Sequence, residues 1–230
     1  EWWQERLPPG HETIDKEELE KGEIPPFILA GDGKIKLNVG SFITMFHYGW
    51  ENLDILDLNQ FAHSYQYKFR QLDARQGLPY DTGSVDLIYL GHFLEHLTYQ
   101  EGLAFLRECR RVLKPDNGAM RIIVPDLALL NSPLYHPPYY QSLSYFDEIS
   151  NGCASSPTEA GKLWELLCAG HQSIYDAEAI SYYLKEAGFL AEKAGFRVNS
   201  FDHQGLRQIL YETLDVLPVL SLYVDALPQA

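Results

Sequence analysis

The sequence predicts an α/β domain, with a mostly parallel sheet, helical crossovers and an antiparallel addition near its end. Three observations carry this reading. Short apolar runs alternate with an amphipathic segment, which is the pattern of βαβ units. One run, Val85-Asp86-Leu87-Ile88-Tyr89-Leu90, is nearly continuous in apolar residues, as a strand covered on both faces requires. Two further runs come late and are separated by one long connection, which suits an antiparallel edge.

The elements follow in order. Residues 1–33 read as an acidic N-terminal extension with Pro8-Pro9, Pro25-Pro26 and one short helix near 12–21; the domain proper is 34–230. Lys34 to Val39 alternates and runs into Gly40, a strand entering a turn. Trp50 to Ile55 and Tyr67 to Asp73 are the second and third strands, the third ending in an acid. The fourth is Val85 to Leu90, and Arg121 to Pro125 is the fifth. Between these two, Phe105, Leu106, Cys109, Val112 and Leu113 make one helical stripe. Arg107, Arg110, Arg111 and Lys114 lie off it, toward the end where cations suit the helix dipole.

Residues 131–175 form a predicted insertion. Tyr135, His136, Tyr139, Tyr140, Tyr145 and Phe146 occur there among prolines with no clear period, so a lid or pocket wall is expected. Helices follow near 159–169 and 176–187, the second with Asp176 as N-cap and Gly188 at its end. Phe196 to Phe201 and Val219 to Val224 complete the strands.

Composition bounds the function. The 230 residues suit one large domain, and 46% hydrophobic content is enough for a core. A net charge of −14 opposes phosphate binding and argues against nucleic acid as a partner. No apolar run approaches a membrane span, and no export signal is visible. Three scattered cysteines, Cys109, Cys153 and Cys168, fit neither a disulfide framework nor a zinc site, and no metal is expected; a reducing cytoplasm is the natural compartment. The chain begins with Glu1, as a processed or excised chain would. Aromatics make up 13%, with 15 tyrosines.

In an open α/β sheet, ligands bind beyond the carboxyl ends of the strands. Those ends here carry Gly40 and Ser41, then Asp54, then Asp73 and Ala74, then Gly91 and His92, with Glu95 and His96 just beyond. A small residue at the first turn admits a ligand to the backbone, and an acid ending the second strand can accept from ribose hydroxyls. Each is ordinary turn chemistry alone. Together they point to a nucleoside-containing cofactor.

The stretch from Leu37 to Leu127 resembles a bacterial class I S-adenosylmethionine-dependent methyltransferase of the methyltransferase-11-like kind. The matching phrases are Leu37-Asn38-Val39-Gly40, Gly49-Trp50-Glu51-Asn52-Leu53-Asp54 and Gly77-Leu78-Pro79-Tyr80. They continue through Ser84-Val85-Asp86-Leu87-Ile88-Tyr89, His92-Phe93-Leu94-Glu95-His96, Arg111-Val112-Leu113-Lys114-Pro115 and Val124-Pro125-Asp126-Leu127. Gly170-His171, Tyr175-Asp176, Ala187-Gly188-Phe189 and Ser221 to Ala226 extend the likeness.

The resemblance implies a Rossmann-like, seven-stranded, mostly parallel sheet flanked by helices, with an antiparallel last strand. It implies S-adenosylmethionine as cofactor, with Gly40 and Ser41 at its methionine end and Asp54 and Ile55 at the ribose. Asp73 and Ala74 would meet the adenine, and Leu90, Gly91 and His92 would line the reactive side, with His96 supporting that turn. The family's first motif has a second glycine where this chain has Phe42. Phe42 either covers the cofactor site or turns away, and a degenerate, non-catalytic binding or scaffolding domain stands as the alternative. A nicotinamide dehydrogenase fits poorly, because no Gly-x-x-Gly continuation follows Gly40.

The expected reaction is O-methylation of a small or carbohydrate-type acceptor, the carbohydrate suggestion coming from the family alone. A hydroxyl acceptor must lose its proton, a task within the range of histidine. His171 is the first candidate base, followed by His92 and His136.

Overall fold

The computed structural model describes residues 33–42, 49–129, 170–194 and 221–229. The N-terminal extension, most of the 131–175 insertion, the 159–169 helix and the 196–201 strand lie outside them.

Seven strands build one sheet: β1 (Lys36–Val39), β2 (Glu51–Asp54), β3 (Phe69–Gln71), β4 (Leu87–Gly91), β5 (Ala119–Pro125), β6 (Phe189–Ala194) and β7 (Ser221–Pro228). Their spatial order is β3-β2-β1-β4-β5-β7-β6. The first five run parallel, and β7 lies antiparallel between β5 and β6. The expected antiparallel last strand is therefore present, inserted next to the edge.

One expectation is corrected. The strand paired with β7 begins at Phe189, immediately after Gly188 at φ +85°, where the sequence reads only a helix end. Ala, Glu and Lys are poor strand formers, so residues 189–194 carry little local signal. Pairing with β7 in register from Phe189↔Pro228 to Ala194↔Tyr223 overrides that preference.

Three helices are described: α1 (Asn59–Ser64), α2 (Tyr99–Val112) and α3 (Ala177–Glu186). A reciprocal capping box starts α2: the Thr98 hydroxyl accepts from the Glu101 N–H, and the Glu101 carboxylate accepts from the Thr98 N–H at 3.0 Å. For α3 the predicted cap holds, since the Asp176 carboxylate accepts from the Ala179 N–H at 2.8 Å. The predicted stripe of α2, Phe105, Leu106, Cys109 and Val112, packs with Ile180 and Leu184 of α3. These side chains share one core cluster with Leu37, Val39, Leu53, Ile88, Leu90, Ile122, Val124, Leu222 and Val224 on one sheet face. Burying each such side chain contributes about 1.5–3 kcal/mol. The other face buries Trp50, Leu87, Tyr89, Ile123 and Tyr223.

That second face also holds an ion pair. Arg121 on β5 and Asp225 on β7 are direct cross-strand partners, joined by two bonds of 2.8 and 2.9 Å, with side chains 1% and 6% exposed. Strand order reverses between β1 and β4, which opens a crevice at their carboxyl ends.

Candidate functional site

The crevice begins where β1 stops. Gly40 takes φ +71°, and its N–H and that of Ser41 both donate to the Leu53 carbonyl of β2, at 2.9 and 3.1 Å. A Cβ on Gly40 would lie 2.4 Å from Phe93 Cδ2, so only glycine lets the Phe93 ring lie against this turn. Ser41 is buried, and its hydroxyl has no hydrogen-bond partner among the described residues.

Phe42 follows at φ +35°, and its N–H donates to Asp54 Oδ2 at 2.9 Å. The Leu56 N–H donates to Asp54 Oδ1 at 3.0 Å, so the acid ending β2 ties both strand-end turns together. The Phe42 side chain is 38% exposed and that of Ile55 53%, an apolar rim beside the buried Asp54.

Asp73 caps a single 3-10 turn, Ala74–Gln76. Its carboxylate accepts twice from the Arg75 side chain at 2.9 Å, and from the Arg75 N–H and the Gln76 amide. Those bonds, Arg75's side chain foremost, hold the Asp73 carboxyl down at about 2. Ala74 is buried beneath it.

Across the reversal point β4 ends in Leu90 and Gly91, both buried. A Cβ on Gly91 would strike the Tyr89 ring at 2.7 Å. His92 turns the chain at φ +50°; its Nδ1 pairs with Glu95 Oε1 at 3.1 Å and its Nε2 with the Ser221 hydroxyl at 3.2 Å. With both ring nitrogens engaged, His92 is placed to orient Glu95.

The 3-10 turn Leu94–His96 then brings Glu95, His96 and His171 together. The imidazoles of His96 and His171 meet edge to face with centroids 4.9 Å apart. Glu95 is fully buried. Burial alone would raise its carboxyl, but the His92 bond and the charges of the three histidines outweigh that and hold it below the usual range. Burial pushes His171 down to about 4 against the pull of Glu95, so its imidazole is neutral at pH 7.

The segment carrying His171 is bolted to this turn. The N–H groups of Gln172 and Ser173 both donate to the Glu95 carbonyl, at 2.8 and 3.1 Å. The Gln172 amide donates to the His96 carbonyl at 2.8 Å. Sequence reasoning names His171, His92 and His96 but assigns no role to Glu95, Phe93 or Ser221, which hold them. A Glu flanked by histidines is the only local signal, and the partners at 170–173 and 221 come from far along the chain.

Residues 40–120 match a family model described as a methyltransferase domain. No curated protein matches the sequence. Among solved structures, a SAM-dependent methyltransferase from Archaeoglobus fulgidus aligns with TM-score 0.52 at 17% identity, covering 87% of this chain and 88% of that one. The YcgJ protein from Bacillus subtilis aligns with TM-score 0.50 at 14% identity, covering 93% and 99%. The CurJ carbon methyltransferase aligns with TM-score 0.50 at 12% identity, over 90% of this chain and 50% of that chain. The chain thus shares the fold of solved methyltransferases. Among the described residues, no helix is long and apolar enough to cross a membrane.

Proposed function

We propose that this chain, whose residues 40–120 match the methyltransferase-domain family, is an enzyme that moves the methyl group of S-adenosylmethionine to a hydroxyl of a small or carbohydrate-type acceptor. The observation that carries the reading is the strand-end cradle at the reversal point. Ser41 offers a buried hydroxyl in need of a partner, and each Asp54 oxygen keeps a lone pair beyond the backbone bond it already accepts. Exposed Phe42 and Ile55 supply an apolar rim beside the methionine and ribose portions, and the turn at Ala74 is offered to the adenine. These residues fit a charged amino-acid end, a ribose and an adenine, in that order along the sheet.

In this reading Gly40, Ser41 and Phe42 hold the methionine portion, Asp54 and Ile55 the ribose, and Ala74 the adenine, with Asp73 shaping that turn through Arg75. Leu90, Gly91 and His92 line the reactive side, with His96 supporting that turn. When bound, the sulfonium supplies an already activated methyl, so the protein's share is to align the acceptor oxygen with it. His171, neutral at pH 7, takes the hydroxyl proton, and His92 sets the geometry around it. The net charge of −14 favours a neutral or cationic acceptor. The compartment we propose is the cytoplasm, in keeping with three scattered cysteines, of which Cys109 is a buried free thiol.

Titration calorimetry with S-adenosylmethionine and S-adenosylhomocysteine tests the reading. Asp54→Ala removes two charge-assisted bonds worth about 1.5–3 kcal/mol each, so affinity falls by about a hundredfold or more. Unchanged affinity refutes the ribose role. Absence of binding by the unaltered chain at millimolar ligand favours the competing scaffold reading, for which Phe42 in place of the family's glycine is the supporting feature.

A further inference from the structure

We propose that Glu95, His96 and His171 form a site for one divalent transition-metal cation of the zinc class, between the turn that follows β4 and the segment after Gly170. Each residue offers one ligand atom, and the three atoms lie within 4.8 Å of one another. Around bound zinc, donors at about 2.0–2.2 Å stand about 3.4 Å apart in a tetrahedral arrangement. Closing the present triangle takes side-chain shifts of about 1 Å, and exposed His96 is free to make them.

A second, independent observation points to a ligand. Glu95 is 1% exposed; its Oε1 is paired with His92, yet its Oε2 is buried without a hydrogen-bond partner among the described residues. A carboxylate oxygen left uncompensated in the interior is costly, and a cation shared with the two imidazoles supplies what it lacks.

The surroundings are those of a supported metal centre. His92 fixes Glu95 and is itself fixed by Ser221. His96 Nδ1 faces the Gly170 carbonyl at 3.4 Å, and donating there leaves the ring's lone pair on Nε2. The backbone bonds from Gln172 and Ser173 to Glu95 hold His171 in place without any help from a metal, and the Ser173 hydroxyl adds a bond to the Leu94 carbonyl. Two imidazoles and one carboxylate select zinc, cobalt or iron over calcium and magnesium, which prefer all-oxygen shells. Three protein ligands leave a position open, as in catalytic rather than structural sites.

The inference rests on the proposed function only in what the open position does. A cation there acidifies a bound acceptor hydroxyl. The proton leaves to solvent, the oxygen forms the new O–C bond, and the sulfonium S–C bond breaks. With the cation bound, the lone pair of His171 is used as a ligand and the cation acidifies the hydroxyl; proton transfer to His171 belongs to the metal-free chain.

The test uses the full chain, stripped with chelator and titrated with Co²⁺ and then Zn²⁺. The expected result is saturation at one Co²⁺ per chain with visible ligand-field bands, and displacement by Zn²⁺. Glu95→Gln, His96→Ala and His171→Ala each weaken binding at least tenfold, and His92→Ala weakens it about 10–100-fold. His96 is exposed, so His96→Ala serves where the buried Glu95 variant fails to fold. No saturable Co²⁺ binding, or binding indifferent to all three substitutions, overturns the proposal. S-adenosylhomocysteine calorimetry on the same samples separates the two readings. A chain that takes up metal at these residues but no cofactor supports the metal site and sinks the transferase alone.

Discussion

Adding a single methyl group at Gly40 probes the strand-end turn directly. In Gly40→Ala the new Cβ would stand 2.4 Å from Phe93 Cδ2 and 3.0 Å from Phe93 Cβ and Cγ. Carbon atoms rest at about 3.5–4.0 Å, so something must move by about 1 Å. The Phe93 ring is braced edge to face against Phe105 with centroids 5.1 Å apart, which limits its escape. The backbone adds its own cost, because φ +71° is left-handed and an L side chain there costs about 1–2 kcal/mol. Overpacking contributes about 1–3 kcal/mol more, for a total of about 2–5 kcal/mol. In a chain of this size that lowers Tm by about 4–20 °C. Equilibrium urea unfolding of the wild type, Gly40→Ala, Phe93→Ala and the double variant closes a cycle. Without the ring the backbone strain and the 3.0 Å approach to the residual Cβ of residue 93 remain while the closest clash is gone, so Gly40→Ala costs less in the Phe93→Ala background, by up to about 1–3 kcal/mol. An equal cost in both backgrounds refutes the placement of Phe93 on this turn, and no cost in either refutes the strain as well.

Two further outcomes follow from buried and half-buried charge. Asp225→Ala strips both carboxylate bonds from the buried Arg121 guanidinium and lowers stability by about 3–5 kcal/mol, read by denaturant unfolding; an unchanged midpoint counts against the pair. Glu108 accepts from the Arg111 guanidinium at 2.7 and 2.8 Å and from the Leu78 N–H at 2.8 Å, which holds its carboxyl below the ordinary value, Arg111 foremost. Because the folded value is the lower one, this stabilisation is present above the unfolded pKa of about 4.3 and is lost as pH falls through the folded value. With solvent screening it amounts to about 1 kcal/mol or less. The stability gap between wild type and Glu108→Gln therefore narrows from pH 7 toward pH 3, and a gap that widens on acidification contradicts the assignment.

Local pattern determined much of this protein. The unbroken apolar run of β4, the alternation into Gly40, the stripe of α2 and the Asp176 cap each rest on residues a few positions apart, whose periodicity and turn chemistry act before any long-range contact forms. The same holds for Asp54 at the end of β2, because the acid and its strand are adjacent in the chain. Tertiary structure decided the rest. Residues 189–194 become a strand only because β7 offers them a ladder, and their own propensities are weak. Phe93 earns its place by lying on a glycine 53 positions earlier, in a turn whose shape Asp54 sets. The Glu95, His96 and His171 cluster joins one 3-10 turn to a segment about 75 residues away. No period or spacing announces such a meeting. Backbone bonds from Gln172 and Ser173 create it, and only burial at 1% exposure turns Glu95 from one acid among 32 into a carboxylate that must be answered by positive charge.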